Sequence, residues 1–189
     1  MHEQVESVSP PQGRGGYARW FALAALVVIL DQWAKYAILN HFTLGETYAI
    51  TSFFNLTLSY NEGAAFGMLN EAGGWQRWAF AALGLGASLW IAFLLRKRGN
   101  QKLFSFALAL IMGGALGNVV DRFTHEGHVV DFLDFHWEMH HFAFFNLADS
   151  AITCGAVLLL LESIIDNRRT RNAPPASTGD ESGKLKREE

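Results

Sequence analysis

The chain has 189 residues, the length of one domain, and half of it is hydrophobic while only 17% is charged, a thin polar complement for a soluble globule. A formal net charge of −3 gives no basis for nucleic-acid binding, and the single cysteine, Cys154, excludes an internal disulfide. This composition fits a membrane protein.

Residues 1–16 (MHEQVESVSPPQGRGG) are rich in Pro, Gly, Ser and charge, which predicts a disordered tail. The first apolar window follows at about 19–39 (RWFALAALVVILDQWAKYAIL), close to the roughly 20 residues a helix needs to cross a bilayer. A cleaved signal peptide is the rival reading. FALAALVVIL, however, runs into Asp31, Gln32 and Trp33 without a small-x-small cleavage site. Asp31 and Lys35 are spaced i, i+4 near the end of this span, so they share a face and can form an ion pair.

From Tyr48 to Tyr60 the residues alternate. Tyr48, Ile50, Phe54, Leu56, Leu58 and Tyr60 fall on one side and Ala49, Thr51, Asn55, Thr57 and Ser59 on the other, with a break at Ser52 and Phe53. Period two predicts a half-buried strand whose apolar side faces lipid, the helices or a ligand. NEGAAFGML (61–69) then reads as a turn at Asn61 to Gly63 and a short amphipathic segment.

Three more spans fall at about 77–95, 103–120 and 145–165. Arg14 and Arg19 precede the first span, Arg96, Lys97, Arg98 and Lys102 join the second to the third, and Arg168, Arg169 and Arg171 follow the fourth. These segments are predicted to be cytoplasmic, leaving loops 40–76 and 121–144 outside. Trp20, Trp75 and Trp78 lie at span ends, where indoles favour the interface. The closing stretch NAPPASTGDESGKLKREE resembles the first tail in composition. The predicted organisation is therefore tail 1–16, membrane domain 17–167 and tail 168–189.

The polar residues of the outer half need a reason. Asn118, Asp121 and Arg122 share one side of the third span, Asp131 and Asp134 occur in GHVVDFLDF, and Asn146 and Asp149 open the fourth span at i, i+3. Taken singly, each suits a cap or solvated loop; Asp149 suits the positive end of a helix dipole. Taken together, the directions of the spans deliver them to one membrane face. Two carboxylates within reach of each other retain a proton, so one can activate water while the other polarises a carbonyl. Clustered aspartates also suit an ion- or proton-coupled transporter, but that function predicts acidic groups through the whole depth of the bilayer. His136 and His140, at i, i+4, would suit zinc on a helix, yet HExxH is absent and VVDFLDF reads as strand, so no metal and no cofactor is expected.

DQWAK (31–35), NEGAAFG (61–67), GGALGNVVDR (113–122), VVDF (129–132) and FNLADSAI (145–152) resemble, in order and spacing, the motifs of the bacterial lipoprotein signal peptidases, signal peptidase II. The resemblance covers about 17–167. It implies a mainly α membrane protein, a four-transmembrane-helix bundle with a small periplasmic β-sheet (the cradle) and a short periplasmic helix at 61–70. It also implies an aspartic endopeptidase of the bacterial inner membrane with both termini cytoplasmic. Such enzymes cut diacylglyceryl-modified prolipoproteins just before the lipid-modified lipobox cysteine and are blocked by globomycin-type peptides. Asp131 and Asp149 fall at the catalytic positions. Asn61, Asn118, Arg122 and Asn146 fall at positions that line the site and hold dyad, substrate or inhibitor, and Asp31 and Lys35 at positions that support it. Membrane lipid is the implied surrounding.

Overall fold

The computed structural model describes residues 16–61 and 74–172, with side chains through 167. The predicted tails, apart from 16 and 168–172, and the amphipathic segment at 62–70 lie outside the described residues. Four long helices are present: α1 (Ala18–His41), α2 (Trp75–Arg98), α3 (Lys102–Thr124) and α4 (Leu147–Asn172). All four are long and apolar enough to cross a membrane. α4 continues past residue 167, the predicted end of the membrane domain, as far as Asn172.

α3 is the central helix. Half of its apolar window is buried, against 22% for α1 and α2 and 11% for α4, so the other three present most of their side chains outward. Leu83, Leu89, Trp90 and Leu160 are among the exposed apolar residues, as a chain dissolved in hydrocarbon requires. With lipid as apolar as leucine, helices associate through close packing rather than hydrophobic burial. Glycines on α3 permit that approach: a methyl on Gly117 would come within 2.7 Å of Asp31 Oδ2, and one on Gly114 would collide with the Ala148 carbonyl. A cluster of Trp20, Ala24, Ile91, Leu95, Leu108, Ala109 and Met112 fills the basic end of the bundle. There the Trp20 indole donates to Gly99 O at 2.8 Å.

At the other end the chain makes a four-stranded antiparallel sheet in the order β1 (Thr47–Ala49), β2 (Phe54–Asn61), β3 (Val129–Trp137), β4 (His140–His141). The break predicted at Ser52 and Phe53 is the hairpin turn, with Ile50 and Thr51 N–H donating to Phe54 O. The single apolar side read from period two is corrected by the structure. A bulge between Leu56 and Ser59 gives β2 one extra residue against β3 and switches the faces. Asn55 and Thr57 are consequently buried while Phe54 and Leu56 are half-buried. Their polar groups are satisfied: Asn55 Nδ2 donates to Asp134 Oδ2 at 2.8 Å and Thr57 Oγ1 to Glu46 O at 3.0 Å. Leu58 crosses to the other face and packs with Ile38, Val130 and Phe132, fastening the sheet to α1. His136 lies on β3, opposite His141, so the helical i, i+4 pairing with His140 does not form.

Candidate active site

Asp131 is carried by β3, a strand buried over its first four residues. The register places it directly opposite Ser59, with Asn61 opposite Val129. Both carboxylate oxygens of Asp131 accept from side-chain amides, Oδ1 from Asn146 Nδ2 at 2.7 Å and Oδ2 from Asn61 Nδ2 at 3.0 Å. Asp149 occupies the first turn of α4, partly exposed. Its Oδ1 accepts from Asn118 Nδ2 at 2.7 Å, and its Oδ2 has no donor among the described residues. One carboxylate is thus buried and doubly held, the other half-held and open to water.

Asn146 explains why these two come together. Its Oδ1 accepts the Asp149 N–H at 2.9 Å, capping the start of α4, while its Nδ2 reaches Asp131. That Nδ2 also lies 3.2 Å from Asn118 Oδ1 and 3.2 Å from Val130 O. A single fully buried amide therefore fixes the first turn of α4 against β3. Loss of an N-cap side chain costs about 1 kcal/mol; here it would also release Asp131.

Beneath the pair lies a buried ion cluster. Lys35 Nζ contacts Asp31 Oδ2 at 2.7 Å and Asp121 Oδ2 at 2.8 Å, all three residues being at most 1% exposed. It also donates to Asn118 Oδ1 at 3.2 Å. Each acid holds a backbone N–H next to the pair: Asp31 Oδ1 accepts from Ala148 N at 2.9 Å, and Asp121 Oδ2 from Val130 N at 3.0 Å. The residues that follow are Asp149 and Asp131. Removing one member of such a buried cluster typically costs 3 to 5 kcal/mol.

Burial pushes the Asp131 carboxyl up to about 7, with the neighbouring Asp149 adding to the rise and the Asn61 and Asn146 hydrogen bonds opposing it. An unpaired negative charge in a closed site favours keeping a proton. Arg122 donates from Nη1 to Asn118 O at 3.0 Å, sits 5.1 Å over the Phe80 ring, and keeps a shielded Nε without a partner among the described residues.

All eight residues given a role by the family resemblance lie in this one network or, for Arg122, against it. Asp121, which shares a helix side with Asn118 and Arg122, joins the network as its convergence with them predicts; Gln32 joins it too, with no signal in the sequence beyond following Asp31. Asp134, although only three residues from Asp131, belongs elsewhere: it pairs with Asn55 and with His141 Nδ1 at 2.8 Å.

A family model described as signal peptidase (SPase) II matches residues 23–165. A lipoprotein signal peptidase of Burkholderia cenocepacia (strain HI2424) is 58% identical over 169 residues, 89% of this chain and 99% of that protein. One from Burkholderia vietnamiensis (strain G4 / LMG 22486) is 59% identical over 167 residues, 88% of this chain and 99% of that protein. Two solved bacterial membrane enzymes share the fold. One has a TM-score of 0.71 at 28% identity, covering 84% of this chain and 95% of that one; the other has 0.67 at 31%, covering 77% and 92%.

Proposed function

The chain belongs to the signal peptidase II family, a protease of a bacterial membrane that removes signal peptides from prolipoproteins, and on that premise we propose which residues do the work. Asp131 and Asp149 are the catalytic pair. The observation that carries this is their shared suspension: Asn146 bonds the Asp131 carboxylate and caps the helix turn that bears Asp149.

Asp131, its carboxyl pushed up to about 7, is the seat of the retained proton, and the partly exposed Asp149 serves as the base. Asp149 takes a proton from water as the water oxygen attacks the scissile carbonyl carbon, and Asp131 gives its proton to the carbonyl oxygen. Collapse of the resulting gem-diol breaks the C–N bond. The leaving amine takes the proton from Asp149, and a diol hydroxyl returns one to Asp131. Both acids end as they began, with a new carboxyl terminus on the signal peptide and a new amino terminus on the lipoprotein. Asn61, Asn118, Asn146 and Arg122 orient the pair and the carbonyl; Asp31 and Lys35 fix the elements that carry them.

The substrate is a prolipoprotein whose lipobox cysteine already bears a diacylglyceryl group, cut just before that cysteine. Its acyl chains stay in the bilayer, each buried CH₂ worth about 0.8 kcal/mol. The basic residues at the Trp20–Gly99 end support a cytoplasmic placement of that end and of both termini, with the pair at the periplasmic face of the inner membrane. Globomycin-type peptides bind across the pair.

The test is cleavage of a diacylglyceryl-modified prolipoprotein by purified wild type, Asp131→Asn and Asp149→Asn, followed by the size shift on a gel with folding checked for each. Loss of cleavage in both folded variants, together with globomycin inhibition of the wild type, is expected. Normal cleavage by either variant would remove that residue from the pair.

A further inference from the structure

We infer that Gln32 is a positioning residue for Asp131, acting through Asp121. This rests on the reading of Asp131 and Asp149 as the catalytic pair. Asp121 is fully buried, and its Oδ2 is already committed to Lys35 and to the Val130 N–H. Its Oδ1 has one donor among the described residues, Gln32 Nε2 at 2.7 Å. The same nitrogen lies 3.2 Å from Asp31 Oδ2 and 3.2 Å from Gly117 O. Two amide hydrogens therefore serve three acceptors, one on Asp121 and one divided between Asp31 and the Gly117 carbonyl.

A buried carboxylate oxygen left without a donor is costly, and Asp121 has an available remedy: rotation. Without Gln32 the carboxylate turns to share its remaining donors, and the hydrogen bond to Val130 N–H loosens. Val130 directly precedes Asp131 on β3, so slack at Val130 becomes displacement of the catalytic carboxyl. Errors of an ångström in such placement lower rates by up to about a hundredfold.

A glutamine also supplies its donor without charge. The charged groups around it are Asp31 and Lys35 on α1 and Asp121 and Arg122 on α3, Arg122 acting on Asp121 through space, with Asp149 of α4 reached from Lys35 through Asn118. A neutral donor leaves the charge balance of that cluster unchanged.

The experiment measures kcat and KM for prolipoprotein cleavage across pH with full-length wild type, Gln32→Met and Gln32→Glu, with Asp131→Asn in parallel. Methionine keeps the length and loses the donor. We expect kcat to fall about tenfold in Gln32→Met, with KM within twofold. Glutamate matches the shape of glutamine and donates only when protonated. Its rate relative to wild type should therefore recover as pH is lowered and sink to the methionine level as pH is raised. A folded Gln32→Met with wild-type kcat, or a Gln32→Glu ratio that does not change with pH, would overturn the inference while Asp131→Asn remained inactive. Activity in Asp131→Asn would instead refute the catalytic assignment itself.

Discussion

Asp131 and Asp134 stand three residues apart on one strand, each about 1% exposed. Each accepts a hydrogen bond from a β2 asparagine, Asn61 for the first and Asn55 for the second. Each also has a donor from the segment after the strand, Asn146 in one case and His141 in the other. Burial and hydrogen bonding alone therefore do not set the proposed catalytic acid apart from its neighbour. The odd spacing puts the two on opposite faces of the sheet, and the bulge in β2 lets an asparagine meet each. Asp131 looks onto the start of α4, where Asp149 supplies a second carboxylate; Asp134 looks onto a histidine that is half exposed.

The largest effect that can break this comparison is turnover. Asp131→Asn should lower kcat by about a thousandfold or more, the scale of lost acid–base catalysis. Asp134→Asn should leave the rate within a fewfold and instead lower stability by about 1 to 3 kcal/mol, the cost of a disturbed buried hydrogen bond. Gel-based cleavage and thermal unfolding on the same preparations measure both. A thousandfold loss in a folded Asp134→Asn would show that the two sites are not separable.

The asparagines sharpen it further. Removing Asn61 in Asn61→Ala frees Asp131 Oδ2 and should lower kcat about tenfold through lost orientation. The Asn61 bond holds the Asp131 carboxyl down, so without it the carboxyl titrates at higher pH. The proposed mechanism needs Asp131 protonated, so the alkaline limb of the kcat profile should move upward. Asn55→Ala should leave both kcat and that limb in place. An unshifted limb in Asn61→Ala would argue that another group governs it.

Helix number and membrane class were legible because twenty apolar residues in a row have few other uses. The cluster of polar side chains at one end was legible because ionised groups near hydrocarbon need partners. Which partner each takes was not. Asp121 and Asp31 bond backbone N–H groups of Val130 and Ala148, and a backbone donor looks the same beside every residue type. The bulge at Leu56 to Ser59 was hidden for a related reason: LTLS carries no glycine or proline to mark it. Alternation therefore assigned Leu58 to the wrong face.

A pH effect on stability bears on why the two aspartates differ at all. An unfolded Asp131 would lose its proton near the ordinary value of 3.8, whereas the folded one keeps it to about 7. Between those values the folded state binds the extra proton, so stability falls as pH rises and levels off above about 7. The slope from this one group is at most about 1.4 kcal/mol per pH unit. Thermal unfolding of the detergent-solubilised wild type from pH 5 to 8 should show that decline, and Asp131→Asn should flatten it because the substituted side chain has no proton to release. If Asp131→Asn kept the wild-type slope, the proton would sit on another group, and burial beside Asp149 would no longer account for the acid role proposed for Asp131.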